Sequence, residues 1–114
     1  MKKAPLLLLS VAVLFLVGFS AQLLFADDDP GKKIFMDNKC STCHSVDSQQ
    51  IKKTMASSKA PDLSNVGSTR TEEWITKWLK KEEAIDGKKH PKTWTGKDED
   101  LTTLVKWLGT LKKA

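Results

Sequence analysis

The chain is poor in the side chains that most often bind metals or form cross-links. Among its 114 residues there are two cysteines, Cys40 and Cys43, and two histidines, His44 and His90. If both cysteines bind one group, no disulfide remains, although a secreted domain of this size often has one. Any metal or cofactor site must therefore be built from a small set of residues.

Two further absences limit the possible fold classes and the possible kinds of binding partner. No stretch alternates apolar and polar residues as a strand would, and no internal repeat is present; we therefore predict an all-α domain with substantial loops. Beyond the first 26 residues the chain carries 17 basic and 14 acidic side chains. A nucleic-acid interface needs clustered basic residues with aromatic platforms. The mixed charge instead favours a solvated surface with some bias toward acidic proteins.

Cys40-Ser41-Thr42-Cys43-His44 has the C-x-x-C-H spacing at which c-type haem is attached. One helical turn presents both thiols to the two vinyl groups of a porphyrin edge, and His44 then lies under the iron as the proximal ligand. A bare C-x-x-C is also typical of zinc and thiol-redox sites. His44 favours haem, and the absence of a βαβ pattern argues against a thiol oxidoreductase. We predict one covalently attached haem c, with its iron, as the cofactor.

The N-terminal segment, residues 1–26, has the pattern of an export signal. A short basic start precedes an almost unbroken apolar stretch, 6–25, with no charge before Asp27. We interpret 1–26 as a signal peptide; the alternative is an uncleaved anchor, because 23 residues are long enough to span a bilayer. In either case residues 27–114 are predicted to form an exported, periplasmic domain, since bacteria attach c-type haem outside the cytoplasm.

Local signals predict three helices. They are a helix over 31–39 that starts at the acidic residues and proline of 27–30, a helix from the N-cap Thr71 to about Lys81, and a last helix that opens at 98–100. The polar segment 45–59 is interpreted as a surface loop. Gly67-Ser68 is interpreted as a break in the chain and Asp86-Gly87 as a turn.

This layout resembles the class I c-type cytochromes, especially the small bacterial monohaem ones, over residues 30–114. Gly31 and Phe35 resemble the glycine and the aromatic residue of the family's first helix. That glycine lets the last helix cross closely where an aromatic residue packs, here Trp107. The resemblance implies an all-α, cytochrome c-like fold in which the N- and C-terminal helices cross around one covalently bound haem.

The resemblance also implies how the proximal side is built. Ala60-Pro61-Asp62-Leu63 is similar to the family's proline segment, whose proline carbonyl accepts a hydrogen bond from the proximal histidine. Pro61 would orient His44 in this way. Leu63 and Leu79 are then expected to pack against the haem.

The aromatic residues are interpreted mainly as apolar walls around the porphyrin. They are Trp74, Trp78, Trp94 and Trp107. The indole of Trp78 or Trp94 is a candidate hydrogen-bond donor to a haem propionate. The single arginine, Arg70, is either a second propionate partner or a solvated side chain.

The distal ligand is the position at which the chain departs from the family pattern. The family usually has methionine followed by proline in the loop before the last helix, where this chain reads Lys88-Lys89-His90-Pro91. The register implies that His90 replaces the methionine. Met55, Lys88 or Lys89, and an open position on the iron remain as alternatives. Methionine raises the potential, whereas imidazole is the better donor to ferric iron; His90 therefore predicts a lowered potential.

We predict a periplasmic one-electron carrier without enzymatic activity, because a six-coordinate iron suits electron transfer better than substrate chemistry. Its partners are then the redox proteins that donate and accept the electron, with a membrane contact only if residues 1–26 stay attached. One alternative is a haem-based gas sensor with a labile distal ligand. Others are a peroxidase that uses a displaced His90 as its acid–base group, and a membrane-anchored subunit of a larger oxidoreductase.

Overall fold

The computed structural model describes residues 29–113, and the expected export segment 1–26 lies outside that range. The α-helices are α1 (Pro30–Asp37), α2 (Val66–Thr69), α3 (Glu72–Leu79) and α4 (Asp98–Thr110), with 3-10 turns at Cys40–Thr42 and Asp47–Gln49. Within 29–113, paired extended backbone is confined to the isolated bridges Val46–Ile51 and Ile85–Lys88. The all-α class is confirmed. None of the helices in this range is long and apolar enough to cross a membrane.

The helix starts follow the local signals in the sequence. Asp29 caps α1, because its Oδ1 accepts from the Gly31 amide at 2.8 Å, and a proline follows it in the first turn. Thr71 caps α3 by accepting from the Trp74 amide at 3.1 Å. Helix α3 ends at Leu79, somewhat before the predicted end, and Lys81 then adopts a φ of 61°. The predicted N-cap Thr71 is confirmed, and so is the start of the first helix within 27–30, where Asp29 is the cap.

Helices α1 and α4 cross at Gly31. A Cβ on this residue would lie 2.2 Å from Cβ of Trp107 and 2.9 Å from the carbonyl oxygen of Thr103, so only glycine allows the approach. One turn along α1, the Phe35 ring packs against Trp107 with the ring centroids 5.4 Å apart and the planes at 58°. Both aromatic side chains are buried. The predicted crossing of the first and last helices is confirmed.

A second close approach, at Gly67, joins α2 to the end of α4. A Cβ at Gly67 would lie 2.3 Å from the carbonyl oxygen of Gly109. The Gly67 amide donates to the Leu111 carbonyl at 2.8 Å. The prediction of a chain break at Gly67-Ser68 is therefore wrong. The glycine lies inside α2 because the missing side chain is needed for packing between helices.

The segment 45–59 contributes to the core, which the prediction of a surface loop missed. Val46 is fully buried and Ile51 is 6% exposed. Each amide donates to the other residue's carbonyl, at 2.9 and 3.1 Å, so the loop folds back and presents both side chains inward. The buried apolar cluster they join consists of Phe35, Ile75, Leu101, Leu104, Val105, Trp107, Leu108 and Leu111.

Asp62 holds the segment 60–63, which follows this loop, in place through hydrogen bonds. Its carboxylate accepts from the Ser45 hydroxyl at 2.8 Å and from the amides of Asp47 and Ser64 at 2.9 and 2.8 Å. Burial acts to raise the pKa of Asp62, but the hydrogen bonds from Ser64, Asp47 and Ser45 outweigh it and hold the pKa well below its usual range. The 60–63 segment is thereby held against the residues that follow the C-x-x-C-H motif.

Replacing Gly31→Ala should destabilise the haem-loaded protein by about 2 kcal/mol or more, since the new methyl group must displace Trp107 or the α4 backbone. Guanidinium unfolding followed by tryptophan fluorescence measures the change. Met36→Ala is the control on the same helix, where the side chain is 44% exposed, and should change stability by less than about 0.5 kcal/mol. Equal stability of the glycine variant and the parent would contradict the close crossing.

Asp62→Ala should lower the free energy of unfolding at pH 7 by about 1 to 2 kcal/mol. Hydrogen bonds to a charged acceptor can contribute more than this, but Asp62 is exposed and solvent weakens them. A carboxylate with a depressed folded-state pKa stabilises fully above its unfolded pKa of about 3.9 and loses this contribution as pH falls. The difference between variant and parent should therefore shrink below about pH 4 in thermal unfolding scans.

The control for Asp62→Ala is Asp37→Ala, which removes a carboxylate whose ion pair with Lys33 is largely exposed on both sides. This control should cost no more than about 0.5 kcal/mol. If both variants lose the same small amount, or if the Asp62 difference does not depend on pH, the hydrogen-bonded role of Asp62 is refuted.

Candidate functional site

The C-x-x-C-H motif occupies a single tight turn directly after α1. Lys39 adopts a φ of 58°, which redirects the chain into the 3-10 turn, and the His44 amide then donates to the Cys40 carbonyl at 3.0 Å. Cys40 and Cys43 are half-buried free thiols. Burial raises the pKa of the Cys40 thiol, and the nearby Lys92 ammonium opposes this rise. The turn therefore brings both thiols and His44 together, as the spacing predicts.

His44 is oriented by the 60–63 segment. Its Nδ1 lies 2.8 Å from the Pro61 carbonyl oxygen; because a carbonyl can only accept, Nδ1 carries the proton and Nε2 keeps its lone pair. Burial lowers the pKa of His44, against the raising effect of this hydrogen bond. The imidazole is therefore held neutral, in the tautomer that a metal requires. The structure places Pro61 where the resemblance expects it.

His90 lies across a gap from His44. The two ring centroids are 6.2 Å apart and the ring planes differ by 9°. The His90 Nδ1 donates to the Lys92 carbonyl at 2.6 Å, which again leaves the lone pair on Nε2. In both histidines, therefore, Nδ1 donates to a backbone carbonyl and Nε2 keeps the lone pair that can bind a metal.

The spacing of the two rings is compatible with one iron between them. If both Nε2 atoms faced the same iron, with metal–imidazole bonds of about 2 Å, the ring centres would lie a little over 6 Å apart; the observed centroids are 6.2 Å apart. The carbonyl on each Nδ1 matches the outer hydrogen bond that metal-bound histidines usually make. The residues present therefore fit a haem iron between His44 and His90.

A shallow, open pocket adjoins the two rings, with Cys40 and His90 on its wall. Its apolar lining includes Leu79, Trp94 and Leu104. The Trp94 amide donates to the Leu79 carbonyl at 3.0 Å, and its indole N–H donates to the Lys97 carbonyl at 3.3 Å. Trp94 therefore forms a wall of the pocket, with its indole donor already bonded inside the protein. Leu63 is partly buried against the core.

The remaining aromatic residues form a stack that ends at the distal histidine. Arg70 lies 4.0 Å above the Trp74 ring, Trp74 stacks on Trp78 at 5.3 Å, and Trp78 meets His90 edge-on at 5.6 Å. Trp74 and Trp78 are only partly buried. Arg70 therefore has an aromatic partner, which the sequence interpretation did not include.

The methionine and lysine alternatives to His90 are exposed to solvent. Met55 is 42% exposed, and its amide is bonded to the Thr42 carbonyl at 3.0 Å. Lys88 pairs through its backbone with Ile85, and both Lys88 and Lys89 are exposed. His90, in contrast, is half-buried and its ring centroid lies 6.2 Å from that of His44. Sequence reasoning missed Lys92, whose contacts with the site carry no local pattern.

The comparisons with known proteins identify the family of the chain. The family model described as Cytochrome c matches residues 29–112, a range that contains the thiol turn, both histidines and the crossing helices. No curated protein and no solved structure matches the chain significantly. The family binds covalent haem c with its iron, and Cys40 and Cys43 fit its attachment motif. The chain therefore belongs to the cytochrome c family and is a haem-binding, electron-carrier cytochrome.

Proposed function

We propose that this cytochrome is a periplasmic one-electron carrier whose iron is bound by His44 and His90 and whose potential is thereby lowered. The observation that supports this most strongly is the pair of opposed, nearly parallel imidazoles 6.2 Å apart. Cys40 and Cys43 would form the two thioether bonds. The bound haem supplies a centre that takes up and releases one electron.

The chain's own residues favour electron transfer over substrate chemistry. Both imidazoles have Nδ1 fixed by a carbonyl, at 2.8 Å for His44 and 2.6 Å for His90, so both rings are preorganised as ligands. If His44 and His90 both hold the iron, no position would remain on it for a substrate. A fixed pair of ligands also needs little rearrangement when the oxidation state changes.

The lowered potential follows from the identity of the distal ligand. A thioether favours ferrous iron, whereas a second imidazole donates better to the ferric state. The His90 ring is also packed edge-on against Trp78, with centroids 5.6 Å apart. This contact restricts the rotation of the ligand and supports His90 over the exposed Met55.

Location and partners are supported by the sequence. Residues 1–26, which lie outside the described range, have the pattern of a signal peptide or of an anchor. Residues 27–114 carry 17 basic and 14 acidic side chains, and a mildly basic charge balance favours association with acidic redox proteins. The proposed partners are therefore an electron donor and an electron acceptor in the periplasm.

Absorption spectra of the ferric and ferrous protein, made in a host that matures c-type haem, test the ligation directly. We expect a low-spin spectrum in both states, without the weak far-red sulfur-to-iron band, and slow CO binding, because His90 must leave the iron first. The sulfur band would identify Met55 as the ligand and refute the proposal. A high-spin ferric spectrum with rapid CO binding would instead favour a gas sensor or a peroxidase.

Removing the distal imidazole should separate these functions further. His90→Ala should give a high-spin ferric spectrum and rapid CO binding. His90→Met should restore a low-spin state with the sulfur band and raise the midpoint potential by on the order of 100 mV, a modest part of the ~0.8 V that axial ligands control. The measurements are absorption spectroscopy and a redox titration.

Met55→Leu is the matched control for the His90 variants. It removes the rival sulfur from a side chain that is 42% exposed, and it should leave the spectrum and the midpoint potential unchanged. A change of spin state in Met55→Leu, with none in His90→Ala, would overturn the assignment of the distal ligand.

A further inference from the structure

We propose that Lys92 is the positioning residue that holds the distal imidazole in place and so keeps the iron six-coordinate. This inference rests on the proposed ligation by His44 and His90. Lys92 acts by holding His90 in place. Both its backbone carbonyl and its side-chain ammonium group contribute.

Lys92 makes two short hydrogen bonds in opposite directions. Its backbone carbonyl accepts from His90 Nδ1 at 2.6 Å. Its side-chain Nζ donates to the carbonyl oxygen of Asn38 at 2.6 Å. One residue therefore links the distal ring to a part of the chain that is remote in sequence.

Asn38 is a firm anchor for this link. It is the C-cap of α1, and both its amide and its side-chain Nδ2 donate to the Ile34 carbonyl, at 3.0 and 2.9 Å. Its own carbonyl lies at the negative end of the helix dipole, where an ammonium is favoured. Asn38 also precedes Cys40 closely, and both line the pocket beside His90. Lys92 thus ties the distal loop to the wall that carries the haem-attachment turn.

Apart from the packing of Trp78 on His90, the loop has few other contacts that hold it. In the described part of the chain, residues 89–93 make their hydrogen bonds through these two contacts of Lys92 alone. The flanking anchors are the turn that pairs Ile85 with Lys88 and the bond from the Trp94 amide to the Leu79 carbonyl. Without the ammonium, the loop that carries His90 has no hydrogen bond to the body of the protein between those anchors.

The role of Lys92 can be measured through the rate at which His90 leaves the ferrous iron. In stopped-flow mixing of the reduced, haem-loaded protein with CO, the observed rate should reach a plateau at high CO, because dissociation of His90 then limits binding. Lys92→Met keeps most of the side-chain length but removes the donor. It should raise the plateau rate about fivefold, the factor expected for one lost hydrogen bond.

Two further variants show whether the effect belongs to this hydrogen bond. Lys92→Arg retains a cationic donor and should keep the plateau within about twofold of the parent. Lys97→Met removes the same charge farther along the loop, at a residue whose contacts are made by its backbone carbonyl, and should leave the plateau unchanged. Thermal unfolding of all variants separates a change in ligand release from a general loss of stability.

The measurements separate the role of Lys92 from the ligation itself. A Lys92→Met plateau equal to that of the parent, or one raised equally by Lys97→Met, would overturn the role of Lys92 while leaving the His44/His90 ligation intact. If the parent itself binds CO in one fast step, with a high-spin ferric spectrum and no plateau, the ligation fails and the role of Lys92 fails with it.

Discussion

The contact between Gly31 and Trp107 is the constraint on which the arrangement of this domain depends. With no room for a side chain at Gly31, the backbone of α1 lies directly on α4. The C-terminal end of α1 leads within a few residues into the thiol turn, and α4 provides Leu104 to the pocket wall. The crossing therefore fixes the haem-attachment turn relative to the core before any cofactor contact is considered.

Two backbone carbonyls then determine the chemistry of the two histidines. Pro61 accepts from His44 and Lys92 accepts from His90, and each bond leaves Nε2 as the basic nitrogen. The burial that lowers the pKa of His44 acts in the same direction, because it also favours the neutral ring. Ligand geometry and ligand protonation are therefore set by the same contacts.

The sequence predicts what local chemistry determines. Asp29 and Thr71 were identifiable as helix caps, the C-x-x-C-H spacing identified the turn, and the resemblance placed Gly31 against Trp107. What the sequence did not predict depends on contacts between distant residues, such as the approach of Gly67 to Gly109 and the bond from Lys92 to Asn38. An exposed lysine in a polar loop has no periodicity that distinguishes it from its neighbours.

The burial of Val46 and Ile51 shows a related limit. Their segment is polar on average, and the inward-facing residues are separated by a tight reversal of the chain, so neither helical nor strand spacing reveals them. The reversal can be recognised only when the mutual hydrogen bonds between the two residues are known. The three helices with local start signals were therefore predicted, whereas α2 and this loop were not.

The two sides of the iron site differ in how firmly they are held. On the side of His44, Asp62 accepts three hydrogen bonds, and the Leu63 amide donates to the Ser45 carbonyl at 2.9 Å. On the side of His90, the hydrogen bonds of the loop depend on Lys92. A network resists opening more than a single link does. Under the proposed ligation, His90 is therefore the ligand expected to leave first, and exchange on its side need not disturb the attachment of the haem.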